Sequence, residues 1–248
     1  MDEHDPTVYG QRFADEYDEH YEGVWDTEGA VARLAELAGA GPVLELGVGT
    51  GRIALPLSER GLEVHGIDSS EEMLDRLRQK PGADRLTLST GDFTEVEVAA
   101  ADRPFTLVAL VFNTIFALPD QDAQVRCFAA AARRLGPGGR FVVEAWIPQL
   151  EWFTTGSAVS VRILRADRVS LDVARIDPVN QRMETTQVAF TADGQVRLYP
   201  ANHRYAWPSE LDLMARLAGL TLESREEDWR ATPFTAHSTT HVSVYRKG

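Results

Sequence analysis

Apolar and polar positions along this chain change period several times, and each change marks a different kind of element. Over residues 7–26, Tyr9, Phe13, Tyr17, Tyr21 and Trp25 recur every four residues among acidic neighbours, which reads as one face of a helical segment. From residue 27 helical and strand patterns alternate. Residues 27–38 place Val31, Leu34, Ala35 and Ala38 on one helical face and stop at Gly39. Residues 42–46 form a short apolar strand, 47–51 a glycine turn, and a helix follows to Arg60. A second strand, 63–67, feeds a helix that opens at Asp68, with Ser69 and Glu72 spaced as a capping box and Pro81-Gly82 as its end. Residues 86–88 form a third strand. The run 105–112 is apolar throughout, the pattern of a strand buried on both faces of a parallel sheet. A helix over 121–135, a stop at 136–139 and a strand over 140–146 complete this half. Strands and helices alternating at close spacing predict a parallel sheet with right-handed crossovers.

The rhythm then switches to period two. Segments 159–164, 169–176, 183–191 and 196–205 alternate, separated by turn signals at Ala166-Asp167, Asp177-Pro178 and Asp193-Gly194. They predict an antiparallel layer of about four strands. A helix over 208–218, capped by Gly219, and strands over 221–229 and 241–246 follow. The chain therefore divides into 1–26, a core of 27–150 with 207–248, and a β insertion over 151–206.

Composition narrows the partners. With 248 residues, 44% of them apolar, the chain can bury one large α/β core with an attached layer. A net charge of −13 argues against nucleic acid, whose binding needs a basic face to displace counterions. The basic clusters 76–80 and 133–134 sit on predicted helix ends, where they complement the helix dipole. An acidic field favours cationic ligands instead. The single cysteine, Cys127, forms no internal disulfide and lies in an Ala-rich helical stretch, as a small core hydrophobe does. A lone thiol, a polar acidic start without a leader pattern and an apolar run, 105–118, too short to cross a bilayer give the expectation of a cytoplasmic protein without membrane contact.

The chemistry centres on Glu45, Gly47, Gly49, Gly51 and Arg52. A strand, a glycine turn and a helix start bring backbone N–H groups against a ligand. The dinucleotide fingerprint spaces its glycines differently and sets a pyrophosphate on the helix. Here the spacing is 47, 49, 51, with a carboxylate two residues before the turn, which suits an ammonium group better than a pyrophosphate. Asp68, at the end of the next strand, is placed to bind ribose hydroxyls, although Asp also makes a helix N-cap. Gly91-Asp92-Phe93 follows the third strand; an Asp accepts from an exocyclic amine and a Phe stacks on a purine.

Taken together, Glu45 with the three glycines, Asp68, Asp92-Phe93, the strand ending at Asn113 and the Leu135-Gly-Pro-Gly-Gly139 stop resemble the class I S-adenosylmethionine-dependent methyltransferases. The resemblance implies a Rossmann-like, doubly wound seven-stranded sheet in the order 3-2-1-4-5-7-6 with its last strand antiparallel. It implies S-adenosylmethionine as cofactor, held by Tyr17, Glu45, Gly47, Gly49, Gly51, Arg52, Asp68, Met73, Asp92, Phe93 and Asn113. Position 69, commonly apolar in this family, is Ser69 here. The tyrosine-rich opening and the β insertion are similar to those of sugar-amine N-methyltransferases of antibiotic pathways. That narrower likeness implies a lid over residues 1–26, a substrate cap over 151–206, and Tyr9, Trp25 and Trp146 as substrate contacts.

Methyl transfer from a sulfonium is an in-line displacement with a good leaving group, so alignment and exclusion of water dominate. A neutral amine needs no base, whereas a hydroxyl usually does. His203 and Tyr205 on the last insertion strand and Glu144 at the end of strand five are the candidate catalytic groups. His237 and His241 are four apart but fall on a loop and a strand, so no metal site is expected. The expected partner is a small molecule, an aminosugar or other secondary metabolite methylated on nitrogen or oxygen, with a homodimer as an allowed assembly. The alternatives are an NAD-dependent oxidoreductase and a non-catalytic S-adenosylmethionine-binding module.

Overall fold

The computed structural model describes residues 26–95, 103–191 and 194–248. Tyr9, Tyr17, Trp25 and the expected lid lie outside them. Seven strands form the main sheet: β1 (Val43–Leu46), β2 (Val64–Asp68), β3 (Leu86–Thr90), β4 (Phe105–Leu110), β5 (Leu135–Trp146), β10 (Leu220–Glu226) and β11 (Thr240–Lys247). Their order is β3-β2-β1-β4-β5-β11-β10. The first five are mutually parallel, and β11 runs antiparallel to both β5 and β10. This is the expected doubly wound order.

Among the described residues, five helices cover the sheet: α1 (Thr27–Ala38), α2 (Ala54–Glu59), α3 (Glu71–Arg78), α4 (Gln121–Arg134) and α5 (Pro208–Leu217). Side-chain alternation along each strand feeds two cores. Leu44, Leu46 and Val108 pack with Phe128 of α4 and Leu211 of α5. Val43 and Leu107 pack on the other face with Leu34 of α1, Leu57 of α2 and Leu74 of α3. Cys127 is buried in the first core, as anticipated, and burial holds its thiol above the ordinary range. The basic clusters serve the fold: Arg78 pairs with Glu71 and Asp75, Lys80 donates to the Thr50 carbonyl and Arg134 to that of Ala130.

In three places the structure departs from the local sequence signal. The cap of α3 is Ser70, not Ser69: its Oγ accepts from the Met73 N–H at 3.2 Å and donates to Glu72. The apolar run 105–112 leaves the sheet at Leu110, because Phe112 and Asn113 turn into the left-handed region at φ 62°. The glycines at 136–139 do not separate helix from strand; β5 already pairs Leu135 with Phe105, and the register shifts across the glycines before Arg140 meets Leu107.

The insertion forms a separate antiparallel sheet, β6 (Ser157–Leu164), β7 (Arg168–Asp177), β8 (Arg182–Thr191) and β9 (Val196–Arg204), in sequential order. It is fastened to the core through Ile176 and Met183, which pack on the first core. A buried polar knot adds to this. The Arg204 guanidinium donates to the Gln124 amide oxygen of α4 and pairs with Glu210 of α5 at 2.6 Å, while the Gln124 amide donates to the carbonyls of Ile115 and Arg204.

Candidate active site

The sheet changes winding direction at β1, which lies between β2 and β4. Ligands of open α/β sheets bind at such a switch point, beyond the carboxyl ends of the strands. The glycine turn stands there. Gly47, Gly49 and Gly51 all have positive φ, at 70°, 52° and 85°. The reasons for glycine differ. A Cβ on Gly47 would meet the Thr114 methyl at 2.7 Å and one on Gly51 the Leu77 Cδ1 at 2.2 Å, whereas one on Gly49 would point into open space. Gly47 and Gly51 are therefore demanded by packing, and Gly49 leaves a bare floor for a ligand.

One expectation about this turn is corrected. Its N–H groups do not face outward as a set: those of Gly47 and Val48 donate to the Ile67 carbonyl, that of Gly51 to Val48, and that of Gly49 to Asp68 Oδ2 at 2.8 Å. The neighbouring β2 strand absorbs the donors that sequence reasoning assigned to a ligand. What the turn offers instead is carboxylates. Glu45 of β1 is 3% exposed, and its Oε2 has no hydrogen-bond partner among the described residues. Burial raises its carboxyl to about pH 8, against the opposing pull of Arg52. Such an oxygen in so dry a place calls for a cation. Asp68 accepts from the N–H groups of Gly49 and Ser70, yet burial still raises its pKa.

The Gly91 N–H bonds to the Asp68 carbonyl at 2.9 Å, which sets Asp92 and Phe93 beside the β2 end. Asp92 is exposed and closes an Asx turn onto the Thr94 N–H; Phe93 is half-buried against the first core. Met73 is buried in the first turn of α3.

Arg52 lies near two buried carboxylates, Glu45 and Glu144; burial raises the pKa of each, and the Arg52 charge opposes that rise. Thr27 Oγ1 accepts from its guanidinium at 3.0 Å, and the guanidinium sits 5.2 Å from the Phe112 ring centroid. Glu144, expected as a catalytic group, has both oxygens engaged: Oε2 accepts from the Phe112 N–H at 2.8 Å and Oε1 from the Trp229 indole N–H at 2.7 Å. Glu144 braces the left-handed Phe112-Asn113 corner. Asn113 completes the brace, its N–H donating to the Glu144 carbonyl and its Oδ1 accepting from the Trp146 N–H.

Beyond the corner stands an aromatic wall. The Trp146 ring meets Phe116 edge-on at 4.6 Å, His203 at 6.2 Å and Tyr205 at 6.3 Å. The wall joins three elements that only the fold brings together: the loop after β4, the end of β5 and the end of β9. Burial drives His203 down to about 4, so the imidazole is neutral at pH 7, and its Nδ1 is buried without a partner among the described residues. Burial likewise raises the Tyr205 hydroxyl. His241, by contrast, is inside the fold with its Nδ1 against Ser243, and His237 is exposed. Sequence reasoning missed Trp229, Thr27, Phe112 and Phe116. Only the Phe112 and Phe116 positions carried a signal, as apolar residues around a strand exit.

The comparisons with known proteins agree with this frame. Residues 43–139 match the family described as Methyltransferase domain. The CcbJ methyltransferase of Streptomyces caelestis is 40% identical and superposes with a TM-score of 0.91 over 98% of this chain and 99% of that one. A cypemycin N-terminal methyltransferase of Streptomyces is 29% identical over 94% of this chain and 95% of its own length. CalS10, an amino pentose methyltransferase of Micromonospora echinaspora, shares the fold at 23% identity, with a TM-score of 0.71 over 94% and 96% of the two chains. The chain belongs to the S-adenosylmethionine-dependent methyltransferases. That membership removes the oxidoreductase alternative, as the glycine spacing already favoured.

Proposed function

We propose that this enzyme methylates an amine nitrogen of a small molecule bound between the glycine turn and the Trp146 wall. The observation that carries the reading is the pairing of an unmatched, buried Glu45 oxygen with an aromatic wall whose one imidazole is neutral. S-adenosylmethionine, when bound, supplies an activated methyl group. Glu45 would hold its ammonium, Gly49 would let it approach the main chain, and Asp68 would hold the ribose hydroxyls. Asp92 and Phe93 would border the adenine, and Arg52 would meet the carboxylate.

The acceptor side favours nitrogen over oxygen for a physical reason. A hydroxyl needs a base of suitable strength, and the wall presents none among the described residues: Glu144 is occupied and His203 is weakened to about 4. A neutral amine needs only orientation. His203 Nδ1 orients an N–H of the acceptor, and the faces of Trp146 and Tyr205 exclude water and tolerate the cation that forms. The four-stranded insertion, which delivers His203 and Tyr205, is then the acceptor cap. The N-terminal methyltransferase activity named for the cypemycin relative is consistent with nitrogen.

The test is S-adenosylhomocysteine formation on matched panels of primary and secondary amines, phenols and alcohols, beside calorimetry with S-adenosylmethionine. Amine turnover is expected, with binding weakened at least 100-fold in Asp68→Ala. Turnover confined to hydroxyl acceptors overturns the nitrogen assignment, and unchanged affinity in Asp68→Ala overturns the cradle.

A further inference from the structure

The amino-acid end of S-adenosylmethionine carries an ammonium and a carboxylate side by side. A site that reads both must keep a carboxylate and a cation close together without letting them neutralise each other. Glu45 and Arg52 pose that problem. They flank the glycine turn, and the Arg52 charge acts on the buried Glu45 carboxyl through space. An arginine and a carboxylate free to move would close into a bidentate pair. Here they stay apart. Among the described residues Glu45 Oε2 has no hydrogen-bond partner, and the Arg52 guanidinium instead contacts Thr27 Oγ1, at 3.0 Å, and the Phe112 ring, 5.2 Å to its centroid.

We propose that Thr27 is a positioning residue, a strut that holds the Arg52 guanidinium off Glu45, leaving the cation for the cofactor's carboxylate and the Glu45 oxygen for its ammonium. The inference rests on the cradle proposed above. Thr27 opens α1, and the start of that helix is anchored on two sides. Asp26 is its N-cap: Oδ1 accepts from the Gly29 N–H at 3.0 Å, and Oδ2 accepts from Arg230 Nε at 2.7 Å. A Cβ on Gly29 would come within 2.5 Å of Asp26 Oδ2, so the first turn of α1 gives up helix propensity to seat this carboxylate. Arg230 follows Trp229, whose indole N–H donates to Glu144 Oε1, while Glu144 Oε2 accepts from the Phe112 N–H. The contacts close into a ring. Thr27 holds Arg52, Arg52 lies against Phe112, Phe112 reaches Trp229 through Glu144, and Arg230 returns to Thr27 through Asp26. Glu45 is outside that ring. The charged groups acting on it are Arg52 and Asp68. Glu144, the other carboxylate within reach of the Arg52 charge, already has both oxygens filled, so a guanidinium released by Thr27 turns to Glu45.

Calorimetric binding of S-adenosylmethionine to the full-length protein at pH 7, repeated in buffers of different ionisation enthalpy, tests the strut. Thr27→Val keeps the branched shape and removes the acceptor oxygen. Arg52 should then close on Glu45 and displace its proton before the cofactor arrives. Affinity is expected to fall at least tenfold, and the proton released on binding to drop from close to one in the parent to near zero. Thr27→Ser restores the oxygen and should return both readings to those of the parent. Weaker binding with undiminished proton release is what a loosened helix start alone would give, and it overturns the proposal. So does a Thr27→Val protein that binds as the parent does. A parent that binds without releasing a proton removes the Glu45 reading itself and the strut with it, which separates the two failures. Should circular dichroism show Thr27→Val unfolded, Arg230→Gln cuts the anchor at a side chain 77% exposed. It should raise the dissociation constant at least threefold with less proton release, and an unchanged constant overturns the anchored strut.

Discussion

Glu45→Gln should make the cofactor-free protein more stable and the enzyme worse. The buried carboxyl titrates near 8 in the folded chain and near 4.5 in the unfolded one, chiefly through desolvation. Its folded value is raised, so its stabilising contribution is complete below pH 4.5 and is lost as pH rises toward 8. Each unit is worth about 1.4 kcal/mol. The parent therefore loses about 3 kcal/mol through this group by pH 7 and about 5 kcal/mol by pH 8. Glutamine does not titrate. Between pH 5 and pH 8 the group loses about 4 kcal/mol, so the gap between the melting temperatures of Glu45→Gln and the parent should widen by roughly 8–16 °C over that range, at about 2–4 °C per kcal/mol. S-adenosylmethionine should reverse the order: its ammonium pulls the Glu45 proton off, so the parent binds with release of close to one proton at pH 7 and the variant with none. Calorimetry in buffers of different ionisation enthalpy reads that proton directly. A gap that stays constant between pH 5 and 8 would refute the desolvation argument. Equal affinity and equal proton release in both proteins would refute the ammonium assignment.

Four further outcomes follow from the same geometry. Gly51→Ala drives a Cβ to 2.2 Å from Leu77 in a left-handed conformation, so it should cost several kcal/mol, on the order of a severe core change, and lower the melting temperature. Gly49→Ala meets no atom and should cost only about 1–2 kcal/mol for its φ, yet weaken cofactor binding more than Gly51→Ala weakens what still folds; the opposite ranking in calorimetry would deny Gly49 its role as the ligand floor. Trp229→Phe leaves Glu144 Oε1 short of a donor in a buried setting, a loss of about 1–3 kcal/mol, and should raise the acceptor KM by loosening the Asn113–Trp146 corner, measured by steady-state kinetics. Cys127→Ala should trim stability by about 1 kcal/mol through a small cavity while leaving kcat unchanged, since the thiol is buried in the core.

How much of this was legible in the sequence depends on the range of the physics involved. The main sheet was legible because each unit of strand, helix and strand buries its own apolar face, so residues 43–68 or 105–146 announce their elements without knowledge of the rest. The proposed cradle is local in the same way: Glu45, the glycines and Asp68 lie within one such unit. Its donors are not, since the Ile67 carbonyl that claims the Gly47 and Val48 N–H groups is revealed only by the pairing of β1 with β2. Glu144 is the sharper case. Nothing near residue 144 hints that Trp229, 85 positions away, will fill one oxygen while the Phe112 main chain fills the other, so a carboxylate at a strand end reads as a base. The insertion shows the limit most plainly. Alternation located all four strands to within two or three residues, because period two is a local property. The same alternation is silent about which of the two faces is covered, as a shift of one residue exchanges them. An apolar row such as Val161, Leu171, Val188 and Leu198 would be taken for the inside of the sheet by any pattern argument. That the fold leaves Val161 and Leu198 outside is settled only by the three-dimensional packing of the sheet.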